Sequence, residues 1–108
     1  MIQPASHSAD FEMEAGGRSR LTGALHFTTV SALLERGHAA IVQGRAAVID
    51  LSTVSESDSS GLALLIEFLS VAKEARHSLH YENIPEQLQE LARLSDVEAL
   101  LTGVESTP

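Results

Sequence analysis

The chain contains no cysteine. No disulfide framework, thiol nucleophile or thiolate metal site is therefore possible, and the absence agrees with a reducing compartment. Aromatic residues are scarce, at 4% of the sequence, so aliphatic side chains must fill most of any core. Basic residues are scarce too: seven Lys and Arg stand against fifteen Asp and Glu, for a formal net charge of -8. That balance lacks the basic footprint that nucleic-acid binding requires. It equally lacks a polybasic face for an anionic membrane, and it suits a soluble protein with a basic partner. No hydrophobic run is long. The most apolar stretch, Gly61 to Leu69, is interrupted by Glu67 and falls far short of a bilayer span, so no direct membrane insertion is expected. The first ten residues, MIQPASHSAD, have neither a basic n-region nor an apolar h-region, which argues against a signal peptide. The expected location is the cytoplasm. Neither a P-loop nor GxGxxG occurs, so there is no nucleotide signature, and no cofactor is expected.

What is present is enough for one domain. The length is 108 residues and the apolar fraction 44%, which makes a core possible and excludes a disordered polymer. Residues 1–9 read as a disordered arm, 10–102 as the domain and 103–108 as a frayed tail. FEMEA (11–15) alternates like an edge strand, GGRSR (16–20) turns, and RLTGAL (20–25) returns as the second strand of a hairpin. Val30, Leu33, Leu34 and Ile41 recur at helical spacing, with Thr28 or Thr29 as cap and Gly44 as stop. AAVIDL (46–51) is a continuous apolar run that reads as a central strand buried on both faces, with STVSESD as the loop after it. A helix is predicted from about Ser60 to Ala75, then a strand over 78–83 with Leu79 and Tyr81 on one face. Pro85 opens a further helix carrying Leu88, Leu91, Ala92 and Leu94, and Asp96 caps a last short turn. Strands alternating with helices imply an α/β domain with a partly parallel, mixed sheet of four to five strands and helices packed mainly on one side.

The stretch SESDSSGLALLIEFL, residues 55–69, carries the candidate site. Glu56, Asp58, Ser59, Ser60 and Gly61 directly precede or open the predicted helix. Read blandly, an Asp or Ser side chain caps an orphan backbone N–H. Read functionally, the same helix start attracts anions and exposes a hydroxyl, which makes Ser59 a plausible phosphate acceptor. Phosphorylation there would add about 1.5 to 2 negative charges beside Asp58 and Glu56 and repel a docked partner. Catalysis finds little support: GxSxG is absent, no base accompanies a serine, and nothing tunes the two carboxyls apart. The chain is read as a non-enzyme. The five histidines, at 7, 26, 38, 77 and 80, offer no recognisable metal set.

The helix itself has two apolar stripes. Leu62, Leu65, Ile66 and Leu69 should face the sheet, while Leu64, Phe68 and Val71 lie on roughly the opposite side. Either a neighbouring helix covers the second stripe or a partner does. A partner is the favoured reading, because the stripe begins one turn from Ser59; Leu64, Phe68 and Val71 are then the expected interface.

Several segments in order resemble a STAS domain. They are IDLSTVSESDSSGLALL, the following strand, and NIPEQLQELARLSDVEALL, with Leu21-Thr22-Gly23-Ala24-Leu25 as an early L-x-G-x-L and Asp58-Ser59-Ser60-Gly61 as D-[ST]-[SAG]-G. The similar region runs from about residue 11 to 101. The resemblance implies a small sheet with helices on one side and no catalysis. It also implies one of two partners. In MlaB-like subunits, the domain supports the cytoplasmic ATPase of an ABC transporter that moves phospholipid between the membranes of Gram-negative bacteria; this would place the protein at the inner membrane only through the complex. In anti-sigma-factor antagonists, the serine corresponding to Ser59 is phosphorylated by a kinase that is also the binding partner. SSGLALL and PEQLQELARLSDVEALL look closer to the MlaB-like branch. Serine at 59, where a threonine is expected in the transporter subunits, fits the antagonists as well. A third reading is a structural domain that forms a weak homodimer through the same helix.

Overall fold

Two glycines reverse the chain at its first turn. Gly16 and Gly17 both have positive φ (73° and 79°), a region that other L residues rarely adopt, and the Glu14 N–H closes the turn on the Arg18 carbonyl at 2.8 Å. In the computed structural model, which describes residues 9–103, this turn joins β1 (Ala9–Met13) to β2 (Arg18–Leu25) as an antiparallel hairpin. The chain continues as α1 (Val30–Val42), β3 (Val48–Ser57), α2 (Ser59–Ala75), β4 (His80–Glu82), α3 (Glu86–Leu94) and α4 (Glu98–Thr102). The strands lie in the order β1-β2-β3-β4, with β2, β3 and β4 parallel. The sheet thus has four strands, the lower of the two expected numbers. The expected arm 1–9 and tail 103–108 fall outside the described residues apart from Ala9, which opens β1, and Gly103, which follows α4.

The connections β2–α1–β3 and β3–α2–β4 step in the same direction across the sheet. With right-handed crossovers, both helices land on one face. Alternation along β3 shows the result: Ile49 and Leu51 are buried, whereas Val48 and Asp50 are only half-buried. The expectation that this strand is buried on both faces is therefore corrected, because helices cover one face alone. β3 also runs on through Ser57, so most of the supposed loop STVSESD is strand.

The other sheet face is a set of charges paired across strands. Arg18 binds Glu82 at 2.7 Å, and Arg20 binds Glu14 at 3.1 Å and Glu12 at 3.6 Å. Asp50 accepts from Asn83 Nδ2 at 2.9 Å and from the Ser52 N–H at 3.0 Å. The Asn83 bond is the main reason the Asp50 carboxyl is held below its usual value; for Glu82 it is the Arg18 bond.

Both stripes of α2 are used inside the fold. Leu62 and Leu65 are buried, with Ile66 and Leu69 half-buried. Leu64, Phe68 and Val71 are buried as well, Phe68 completely, so the expectation that this stripe is open to a partner is corrected. The reason lies in α1. A Cβ on Gly37 would come within 2.3 Å of the Phe68 ring, so the glycine leaves a socket for it. Phe11 of β1 completes the cover, edge-on to Phe68 with centroids 6.1 Å apart. A mid-helix glycine costs about 1 kcal/mol against alanine, and burying a phenylalanine returns about 1.5 to 3 kcal/mol. On the other flank the Tyr81 hydroxyl donates to the Leu65 carbonyl at 2.6 Å, and its burial pushes that hydroxyl well above the ordinary tyrosine range.

The C-terminal helices differ from expectation in detail. Leu88 and Ala92 are buried, but Leu94 is 79% exposed. Pro85 is the residue before α3 rather than its first, and Val97, not Asp96, stands at the N-cap of α4.

Candidate functional site

The end of β3 and the start of α2 are bound into one knot. Asp58 stands at the N-cap and accepts the Ser60 N–H at 2.8 Å, while its own N–H donates to the Leu25 carbonyl at the end of β2. Next to it, the Ser57 N–H donates to Gln87 Oε1 of α3 at 3.1 Å, and the Ser57 hydroxyl donates to the Asp58 carbonyl at 3.0 Å. The first turn of α2 presses against these atoms. A Cβ on Gly61 would lie 2.0 Å from Ser57 Oγ and 2.8 Å from Leu25 Cβ, so a glycine is required for close approach rather than for backbone freedom.

Asp58 also clamps the loop between β2 and α1. Its environment works in two directions. Desolvation pushes the carboxyl up, but the N–H groups of Ser60 and Phe27, the Ser60 hydroxyl and His26 together hold it below its ordinary value. His26 lies between the two acids, with Nε2 3.5 Å from Glu56 and Nδ1 3.6 Å from Asp58. The Thr29 hydroxyl accepts the His26 N–H at 2.9 Å and donates to the Ala24 carbonyl at 2.9 Å. Thr29 is thus at the N-cap of α1 by position, but its side chain fastens the loop instead of capping. The fastened loop holds Phe27 with its side chain outward, and Phe27 is 78% exposed.

Ser59 is exposed at the first position of α2, and Ser60 behind it is half-buried. A groove of about 370 Å³ runs on one side of this turn, between Val30 and Leu34 of α1 and Ser60, Ala63 and Glu67 of α2. A second groove, of about 660 Å³, lies on the other side, between Asp58 and Ser59 and the Glu86, Glu90 and Leu91 side of α3.

The structure therefore brings together Glu56, Asp58, Ser59, Ser60 and Gly61 as the sequence predicts, and removes Leu64, Phe68 and Val71 to the core. Leu64 alone of those three still touches the first groove. Sequence reasoning missed Phe27, Val30, Leu34 and Ala63, and the acids of α3. Phe27 carried a signal: in LHFTT it follows the end of a predicted strand, in a turn where a buried aromatic has no place. The site offers a helix start that stabilises negative charge on Ser59, carboxylates that oppose it, and apolar surface alongside. Among the described residues, no group of three or more His, Asp or Glu is placed to hold a metal ion. Nor is any helix among them long and apolar enough to cross a membrane.

Residues 13–102 match the sequence pattern of a family described as "Mlab, STAS domain". No curated protein gives a significant match. Among solved structures, the chain is similar to the unphosphorylated form of the anti-sigma factor antagonist SpoIIAA. The identity is 20%, 86% of each chain is covered and the TM-score is 0.66. It is also similar to the phosphorylated form of SpoIIAA, described as a Bacillus cell fate determinant. There the identity is 18%, with 87% of this chain and 88% of that one covered and a TM-score of 0.65.

Proposed function

Because the chain belongs to the Mlab STAS-domain family, we propose that it is a non-catalytic binding domain. It docks on the cytoplasmic ATPase of an ABC-type phospholipid transport system and supports that ATPase. The contact is the α2 start: Ser59 at the centre, Phe27 as anchor, and Val30, Leu34 and Ala63 alongside. The observation that carries this reading is Phe27, a large aromatic 78% exposed on a loop whose backbone N–H is held by Asp58, the residue before Ser59. A buried aromatic anchor at an interface contributes about 2 kcal/mol or more, and a fixed loop lowers the entropy lost on docking. Affinity purification from the native host tests it. The wild-type chain should bring down an ATPase with its membrane subunits, and Ser59→Glu and Phe27→Asp should not, with circular dichroism unchanged. Retention of the ATPase by both variants would sink the assignment of this surface.

The second reading is an anti-sigma-factor antagonist controlled by phosphate on Ser59, with a serine kinase as partner. Its support is the exposed hydroxyl at a helix start and the likeness to an antagonist solved in both forms. Intact mass of protein from native cells decides between the two. A phosphate on Ser59 in a fraction of molecules favours this reading; uniformly unmodified protein across growth conditions counts against it. A homodimer through Leu64, Phe68 and Val71 has lost its surface, because those side chains lie in the core.

A further inference from the structure

We propose that the segment bound at this surface is amphipathic and cationic: apolar side chains seat between α1 and α2, and lysine or arginine side chains reach the acids around the α2 start. The proposal rests on the docking reading above and adds the chemistry of the partner. Its apolar half comes from the groove walls, Val30, Leu34 and Ala63, and from the exposed Phe27 of the loop that Asp58 holds. Its cationic half comes from where this chain puts its charges.

Glu67 closes the first groove, and Asp58, Glu86 and Glu90 line the second. Neither groove is lined by a lysine or arginine among the described residues. Each of the seven basic residues is committed or distant. Arg18 and Arg20 belong to the paired network on the open sheet face. Arg36 pairs with Asp10, and Arg45 binds Gln43. Lys73 and Arg76 sit at the far end of α2, about 20 to 25 Å from Ser59 at 1.5 Å per residue. Arg93, the nearest in sequence to the second groove, is drawn between Glu90 at 3.1 Å and Glu98 at 3.7 Å. The basic residues of α2 and its C-cap thus lie at the end away from Ser59. The Ser59 end is also where the loop held by Asp58 exposes an aromatic side chain.

Two other occupants fit less well. A second copy of this chain would bring its own net charge of -8 to an acidic lip, and an anionic lipid surface would be repelled by the same acids. A cationic segment instead gains steering: complementary charge raises association rates, and salt removes the gain. The cations also replace water at carboxylates that are left exposed at the rim, where each pair contributes little alone but the sign selects the partner.

The probe is a labelled amphipathic peptide of about 18 residues, five helical turns, built from leucine and lysine. Its counterpart has glutamate at every lysine. With the full chain, the lysine peptide should bind saturably, and its affinity should fall about tenfold between about 50 and 300 mM salt. It should fall by about tenfold again for Phe27→Asp and for the double variant Glu86→Lys/Glu90→Lys, both with unchanged circular dichroism. The glutamate peptide should not bind. Absence of saturable binding by the lysine peptide, equal binding of the two peptides, or indifference to Glu86→Lys/Glu90→Lys overturns the proposal. The native ATPase separates this failure from failure of the docking reading. If Phe27→Asp releases the ATPase and Glu86→Lys/Glu90→Lys does not, the surface stands and the cationic segment falls. If neither releases it, the surface itself is wrong.

Discussion

The open face of the sheet and the start of α2 are both polar and exposed, yet they are built in opposite ways. On the sheet face, Arg18 meets Glu82, Arg20 meets Glu12 and Glu14, and Asp50 is held by Asn83 and Ser52. Each charge finds an opposite charge or a hydrogen bond on a neighbouring strand or turn. At the α2 start, Glu56, Asp58, Glu86 and Glu90 gather with an exposed phenylalanine and an exposed serine. The His26 ring lies between Glu56 and Asp58, and Arg93 pairs with Glu90. A polar surface that closes on itself is a solvated wall. One that keeps an excess of one sign, beside apolar side chains, is arranged for something outside the chain.

The comparison depends first on where the apolar surface of α2 ends. If Phe68 is core and Phe27 is surface, the two phenylalanines should fail differently. Phe68→Ala should lose about 3 to 5 kcal/mol of stability in urea unfolding, because the Gly37 socket cannot collapse around alanine. Phe27→Ala should leave the unfolding midpoint within error and weaken partner binding by about 2 kcal/mol, read by calorimetry against the captured ATPase. Equal behaviour of the two would erase the distinction between core stripe and docking surface.

Asp58 is where structure and site overlap. Asp58→Ala removes the N-cap and the hold on the Phe27 loop, and should cost about 1 kcal/mol. Asp58→Asn keeps an acceptor and should recover most of it. The same carboxyl sets a pH dependence. Its folded pKa lies below the ordinary aspartate value of about 3.9, so its stabilising effect is present above that pH and is lost as the pH falls through the folded value. Asp50 is shifted in the same direction and acts in the same window. Thermal melts from about pH 6 down to about pH 3 should show a falling midpoint, and Asp58→Asn should flatten part of the fall. The smallest effect belongs to the wall. Arg18→Ala breaks an exposed pair and should change neither the melting temperature measurably nor the binding of the partner.

Much of this was legible in the sequence, and the reasons are local. The strand nature of AAVIDL, the Gly16-Gly17 turn and the Asp58 cap each depend on a few adjacent residues, and each reads correctly or nearly so, although the burial of that strand on one face alone does not. The cluster Glu56 to Gly61 was legible for the same reason. What was not legible depends on contacts between distant elements. Whether the stripe Leu64, Phe68, Val71 faced water turned on Gly37 and Phe11, which are about thirty and nearly sixty residues away from Phe68. A mid-helix glycine reads as a weakness in one dimension and as a socket in three. The groove acids Glu86 and Glu90 meet Ser59 only once α3 is set beside the α2 start, and nothing adjacent to them in the chain signals it.

The central claim is that partner contact is confined to the α2 start and spares the open sheet face. It is tested most directly by purification from the native host with two variants side by side, Phe27→Asp and Arg18→Glu, each checked for native circular dichroism. The account predicts that Phe27→Asp comes down without the ATPase and Arg18→Glu with it in wild-type amount. Loss of the ATPase from Arg18→Glu with retention by Phe27→Asp would contradict it.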